Sequence, residues 1–143
     1  MNSFGKCTEK QILAFEDKYQ VHIPNSFKLF LMDKNGLVLD EGICISVPSV
    51  SEAICVDAIF GLGLSNKWLD MNHWHEQYCG ELPAGTLIIG SDVLEGFILS
   101  LDMPEASGVY YWDDKLNLAE STASSNCYYI CDSIEEFLKK ICA

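Results

Sequence analysis

The sequence predicts an α+β fold: one domain over residues 1–143, built on a twisted, mostly antiparallel sheet of about six strands. An N-terminal helix pair, one inserted helix and a C-terminal helix flank that sheet. Three observations carry this expectation. Helical periodicity is confined to the two ends and one central stretch. Short apolar runs rich in β-branched and aromatic residues fill the middle, punctuated by Gly, Pro, Asp or Ser. No crossover helix separates most of those runs, which favours meander pairing over βαβ units.

The first helix begins at Thr8, where Thr8-x-x-Gln11 has the spacing of a capping box. Ile12, Phe15 and Tyr19 then share one face, with Lys10, Asp17 and Lys18 on the other. Pro24 breaks that pattern, and Asn25 or Ser26 is placed to cap a second helix. Phe27, Leu29, Phe30, Leu31 and Met32 are apolar nearly all round, so the second helix is expected to be well buried. Asn35-Gly36 stops it, since both residues tolerate the left-handed conformation that ends helices. Strands are expected at 37–39, 43–47, 53–60, 86–89, 97–101 and 109–112.

One helix interrupts the strands at about 66–78, with Trp68, Met71, Trp74, His75, Tyr78 and Cys79 in one broad arc. Residues 121–125 read as a short polar loop and not as a domain boundary. The closing helix is announced by Ser133-x-x-Glu136 and by a stripe of Ile134, Phe137, Leu138 and Ile141. Lys139 and Lys140 sit in its last turn, where cations suit the helix dipole.

Composition narrows the function. Hydrophobic residues are 49% and charged residues 21%, which sets disorder aside. The net charge is −12, and all nine cations are Lys, with no Arg. Such a chain is poorly suited to phosphate backbones or to an anionic membrane surface. The charge is also uneven: residues 35–114 carry Lys67 alone against thirteen acids, a net of −12. No apolar run approaches the roughly 20 residues of a membrane helix, and the N-terminus has no apolar signal core. The chain is therefore expected in the cytoplasm. Its seven cysteines, an odd number, cannot all pair within the chain. They are expected to be reduced and to act mostly as small buried hydrophobes.

An ordered set of short motifs runs through the chain. First come Ile12-x-x-Phe15-Glu16, then His22-Ile23-Pro24-Asn25-Ser26-Phe27-Lys28-Leu29-Phe30-Leu31, then Asn35-Gly36. Leu82-Pro83, Ile89-Gly90-Ser91-Asp92, Gly96 and Val109-Tyr110-Tyr111-Trp112-Asp113 follow. Ser133-Ile134-Glu135-Glu136-Phe137-Leu138 closes the series. In these residues the chain resembles the SUKH superfamily, which includes bacterial immunity proteins and a fungal cell-wall synthesis regulator. Ile23 replaces the usual Leu, and residues 42–79 match only in outline. The resemblance implies one α+β domain with a twisted mixed sheet, no catalytic machinery, and binding to toxins deployed by neighbouring cells, often nucleases. The matching motif residues are mainly structural, so the resemblance does not name the contact residues.

Conventional chemistry finds little support. His73-x-His75-x3-Cys79, with Cys127-x3-Cys131, invites a metal site, but on a helix His73 and His75 project about 160° apart. No tight Cys knuckle supplies four convergent ligands. No cysteine is marked as activated by a helix start beside a basic residue. Gly61-x-Gly63 lacks the Lys of a phosphate loop. Asp92, ahead of the Glu95-Gly96 turn, reads as a turn-capping carboxylate. No cofactor and no metal are expected.

The acidic middle segment is what folding explains least, because concentrating charge costs self-repulsion. A negative face attracts a basic partner and speeds encounter. The expected function is thus a non-catalytic immunity protein whose acidic face neutralises a basic toxin, such as a nuclease, of a bacterial competition system. The expected contact residues are Asp40, Glu41, Asp57, Asp70, Glu76, Glu81, Asp113 and Asp114, with Trp74 as a part-exposed anchor. Trp68 is a second candidate anchor, though such a residue is more often core. The chain is expected to act as a monomer or weak homodimer. Two alternatives stand beside this: a small-molecule-binding or enzymatic domain with a pocket on the sheet, and an intracellular scaffold or regulatory domain.

Overall fold

The structure, a computed structural model, describes residues 2–47, 53–78, 80–93, 96–104, 106–113 and 127–142. Among these residues, four helices and a seven-stranded sheet follow in the order β1 (Asn2–Ser3), α1 (Glu9–Tyr19), α2 (Asn25–Asp33), β2 (Leu37–Ser46), β3 (Ala53–Ile59), α3 (Met71–Gln77), β4 (Thr86–Asp92), β5 (Phe97–Met103), β6 (Ala106–Trp112), β7 (Cys127–Cys131) and α4 (Ile134–Cys142). A 3₁₀ turn at Lys67–Leu69 precedes α3.

Each strand pairs with its sequence neighbours, in the order β1 to β7, and every pairing is antiparallel. The architecture is the expected α+β meander, without the parallel pairs that a mixed sheet would contain. The two runs read as separate strands at 37–39 and 43–47 form one strand, β2, with a register shift between Val38 and Ile43. Asp40-Glu41-Gly42 looks like a turn in the sequence. It is a bulge, with Gly42 at φ 70°, where a Cβ would be disfavoured.

The two middle strands, β4 and β5, are buried along nearly their whole length. Their sequences, Thr86-Leu87-Ile88-Ile89 and Phe97-Ile98-Leu99, are continuous apolar runs, as strands covered on both faces require. Helix α1 has the capping box: Gln11 N–H donates to Thr8 Oγ1 at 3.2 Å, and Thr8 N–H to Gln11 Oε1 at 2.9 Å. It buries Ile12 and Phe15 and ends with Gln20 in the left-handed region. Helix α2 starts differently from expectation. The Pro24 carbonyl accepts from Phe27 and Lys28, and Asn25 and Ser26 lie inside the first turn. Its burial is also one-sided, with Leu29 62% exposed.

The inserted helix breaks in two. Asn66 Oδ1 accepts from Trp68 N–H to start the 3₁₀ turn, and Asp70 Oδ1 accepts from Asn72 N–H to start α3. Two side-chain caps four residues apart cannot both sit within one continuous helix. Helix α4 begins as expected, with Glu136 N–H donating to Ser133 Oγ at 3.1 Å, and it buries Ile134, Phe137 and Ile141. Among the described residues no helix is long and apolar enough to cross a membrane.

Cys7, Cys127 and Cys131 are buried free thiols, as expected. Cys44 and Cys55, directly opposed on β2 and β3, are instead joined in a disulfide. Neither is a buried hydrophobe: Cys44 is exposed and Cys55 half-buried. Cross-strand apposition, which one sequence cannot display, brings them together.

Candidate functional site

One row of cross-strand neighbours forms the floor of a groove. Val38 faces Ala58, Ala58 faces Ser91, and Ser91 faces Phe97; Trp112, opposite Phe97, is buried beyond the groove lining. Directly opposed residues in an antiparallel sheet share a face. The small Ala58 and Ser91 lie between the larger Val38 and Phe97, leaving a trough in that face. The 3₁₀ turn and α3 supply an aromatic wall. The Trp74 ring stands 4.9 Å from Phe97 and 6.1 Å from Phe60, and Tyr78 stands 5.6 Å from Phe97. Trp68 lies 5.7 Å from Trp74, whose indole Nε1–H donates to the Trp68 carbonyl at 3.0 Å. Between floor and wall is a groove of about 680 Å³.

Two of the expected carboxylates line this groove, one of them through an irregularity of the sheet. Strict alternation would send Asp57 to the face opposite its neighbour Ala58. The β3–β4 register shifts between Val56 and Ala58, and Asp57 lies on the Ser91 side, where Ser91 Oγ donates to Asp57 Oδ1 at 2.7 Å. Such irregularities characteristically re-aim side chains. Asp40 also lines the groove, two residues along β2 from Val38 and so on the same face by ordinary alternation. Glu41 sits beside them, on a separate hollow of about 320 Å³ formed by residues 39–43.

The structure thus brings Asp40, Asp57 and Trp74 together, with Glu41 adjacent, and disperses the other expected contacts. Asp70 is buried. Its Oδ1 accepts from Asn72 and its Oδ2 from Leu64 N–H at 3.0 Å, so this carboxylate organises the start of α3 instead of a surface. Glu76 is exposed but turned to α1, 3.9 Å from Lys18 Nζ and accepting from the Tyr19 hydroxyl. Glu81 is exposed in the turn after α3, and Asp113 follows the end of β6. Asp114, Cys79 and the loop 121–125 lie outside the described residues.

Sequence reasoning ranked Trp68 behind Trp74 as an anchor, yet Trp68 is 55% exposed on the groove lining. The signal was present: Asn66 and Asp70 are both capping residue types, and a break between them rotates Trp68 off the arc of α3. It missed Ser91 and Phe97, whose placement depends on register. Asp92 does cap its turn, with Oδ1 accepting from Gly96 N–H at 2.8 Å, and it also lines the groove.

The titratable groups that burial shifts most are core residues outside the groove lining. His75 Nε2 accepts from Ile88 N–H at 3.0 Å, and burial lowers the imidazole from 6.5 to about 4. It is held as a neutral acceptor, edge-on to Phe15. His73 instead packs between Trp68 and Trp74, at 5.0 and 4.8 Å. Burial pushes the Cys7 and Cys127 thiols up to about 11, which keeps them protonated and unreactive at neutral pH. Ser91 and Asp57 form a hydroxyl–carboxylate pair without an imidazole among the groove-lining residues. Stacking surfaces and fixed carboxylates suit recognition of a cation.

The motif residues of the helix pair and of the Asn-Gly step do internal work. Glu16 Oε2 accepts from Ile23 N–H at 2.8 Å and lies 3.6 Å from Lys28 Nζ, tying α1 to the start of α2. Asn35 Nδ2 donates to the Leu62 carbonyl and Asn35 Oδ1 accepts from Leu62 N–H, at 2.9 and 2.8 Å. In comparisons with known proteins, the SMI1 / KNR4 family (SUKH-1) matches residues 6–140, nearly the whole chain. The chain belongs to the SMI1 / KNR4 family. SUKH-family domains are known as immunity proteins or related regulators, and they bind protein partners. No curated protein and no solved structure matches the chain. Within this SUKH-1 chain, Glu16 and Asn35 hold the frame, while the groove is built largely from β2, β3 and the 67–78 stretch, where the motifs are sparse.

Proposed function

We propose that this SUKH-1 chain acts as one non-catalytic domain, an immunity protein that neutralises a basic protein toxin by seating part of it in the groove beside α3. The observation that carries the reading is the lining itself: Asp40 and Asp57 stand with Trp68 and Trp74 in one depression. Exposed aromatics next to carboxylates are what a cationic protein surface needs in order to be both attracted and anchored. The net charge of −12 adds long-range steering toward a basic partner, such as a nuclease whose cleft is built to hold nucleic acid. The proposed setting is the cytoplasm, with the chain a monomer or weak homodimer. The catalytic alternative draws no support from the groove, whose lining includes none of His75, Cys7 and Cys127, the groups that burial shifts strongly.

The test is co-expression with toxin domains of bacterial competition systems. The chain is expected to restore growth against a basic toxin, to copurify with it, and to lose association rate steeply as salt rises from low to physiological. Rescue that is indifferent to reversing Asp40 and Asp57 to Lys, or failure to rescue against every basic toxin tried, overturns the reading.

A further inference from the structure

We infer that the groove is a seat for one arginine side chain presented by the partner protein. This deepens the reading above and rests on it. A guanidinium has two distinctive needs: a flat π surface to lie against, and a carboxylate to receive its fork of N–H donors. The groove offers both within one depression. Trp68 and Trp74 supply the aromatic surface; alternation along β2 places Asp40 on the lining, and the β3 register shift places Asp57 there.

Asp57 is held in place before any ligand arrives. Ser91 Oγ, fixed on a middle strand, donates to Asp57 Oδ1 at 2.7 Å. A carboxylate so held loses less freedom on binding. The floor beneath is Ala58 and Ser91, small enough to leave depth for the long alkyl stem. The Trp68 indole already attracts a cation within the chain: Lys67 Nζ stands 4.9 Å from its ring centroid. That ammonium is a point charge without a fork, and the chain holds no Arg of its own, so a guanidinium must come from outside. A neutral apolar occupant would strip water from Asp40, Asp57 and Asp92 without bringing a counter-charge, and a phosphate-bearing one would be repelled by them.

The probe is N-acetyl-arginine amide, compared with N-acetyl-citrulline amide, which has nearly the same shape and no charge. Both are titrated into the full chain while the three indole N–H resonances are followed. The arginine probe is expected to shift Trp68 and Trp74 and to leave Trp112, buried outside the groove lining, unmoved, with the citrulline probe about tenfold weaker. Asp57→Asn is expected to bring the arginine probe down to the citrulline level. Trp68→Ala, at an exposed position that the core does not depend on, is expected to weaken it several-fold. Equal binding of the two probes overturns the proposal, as does an arginine response that survives both substitutions. A polyarginine peptide separates the two levels of the argument. Salt-sensitive peptide binding that leaves Trp68 and Trp74 unmoved sinks the arginine seat and spares the acidic-face reading. Absence of binding by peptide and probe alike sinks both.

Discussion

Ser91 and Asp57 are hydrogen-bonded across β4 and β3 at 2.7 Å, although Ala58, and not Asp57, is the residue that faces Ser91 in the ladder. The contact exists because the strand slips register at that point, and it converts a surface acid into a positioned one. A serine that would otherwise be a filler in a middle strand becomes the support of the groove.

The pair is expected to be energetically coupled. Ser91→Ala and Asp57→Ala should each lower stability by about 1 kcal/mol, the usual net value of a part-exposed hydrogen bond to a charged or neutral group. The double variant should cost less than the sum, with a coupling of about 1 kcal/mol in a double-mutant cycle read by urea unfolding. Strict additivity would mean that the two side chains do not meet in solution.

Elements that carry their own instructions were legible in the sequence. Helices α1 and α4 have local caps and clean stripes, and both form where Thr8 and Ser133 place them. Strands β4, β5 and β6 were legible as apolar runs. What failed depends on partners. Strand β7 is a five-residue stretch of Cys, Tyr and Ile that is a strand because β6 lies beside it. The β2 bulge mimics a turn. Trp74 was legible as a part-exposed aromatic on α3, whereas the trough beneath it was not. The opposition of Val38, Ala58, Ser91 and Phe97 is a property of register, and register is set by the whole sheet.

His75 makes the fold acid-sensitive in a defined window. In the folded chain its imidazole takes a proton only at about pH 4, against 6.5 when exposed. Between those values the unfolded state binds the extra proton, so stability is present above about 6.5 and falls as pH drops toward 4. The loss between pH 7 and pH 5 should be about 2 kcal/mol, measured as a shift in urea midpoint. His75→Gln is expected to be less stable at neutral pH but nearly flat across the window. A wild-type chain that is equally stable at both pH values would contradict the buried, neutral imidazole.

Asn35 and Gly61 form a second dependency, at the crossing of α2 with the segment before the 3₁₀ turn. Asn35 sits at φ 48° and satisfies both backbone groups of Leu62. A Cβ on Gly61 would lie 2.2 Å from the Asn35 carbonyl oxygen, a backbone atom that cannot swing aside. Asn35→Ala orphans two buried groups and adds left-handed strain, for a cost of about 4 kcal/mol. Asn35→Gly relieves only the strain and should fall between that variant and wild type. Gly61→Ala should be comparably destabilising, because the backbones must part. The order of thermal midpoints among the three variants checks the account; Asn35→Gly no better than Asn35→Ala would remove the strain from it.

The Cys44–Cys55 disulfide sets the last expectation, because it conflicts with a reduced chain. The two residues are separated by eleven positions and opposed on neighbouring strands. Closing so short a loop in the unfolded ensemble is worth about 3 kcal/mol in the chain-entropy account. Cys44 is exposed, so a thiol-rich compartment can reach the bond and open it. Reductant should therefore lower the urea midpoint of the wild-type chain and leave Cys44→Ser/Cys55→Ser unchanged. Thiol titration of the unfolded wild-type chain should count at least two fewer groups before reduction than after. The pairing of β2 with β3 does not depend on the bond alone, since Leu37–Ile59 and Val38–Ala58 hold the other half of the ladder, with Leu37, Ile59 and Ala58 in the core. The reduced chain is accordingly expected to keep its fold and its groove. If reduction also abolished the indole response to the arginine probe, the outer half of β2, and with it Asp40, would have to be held in place by the disulfide.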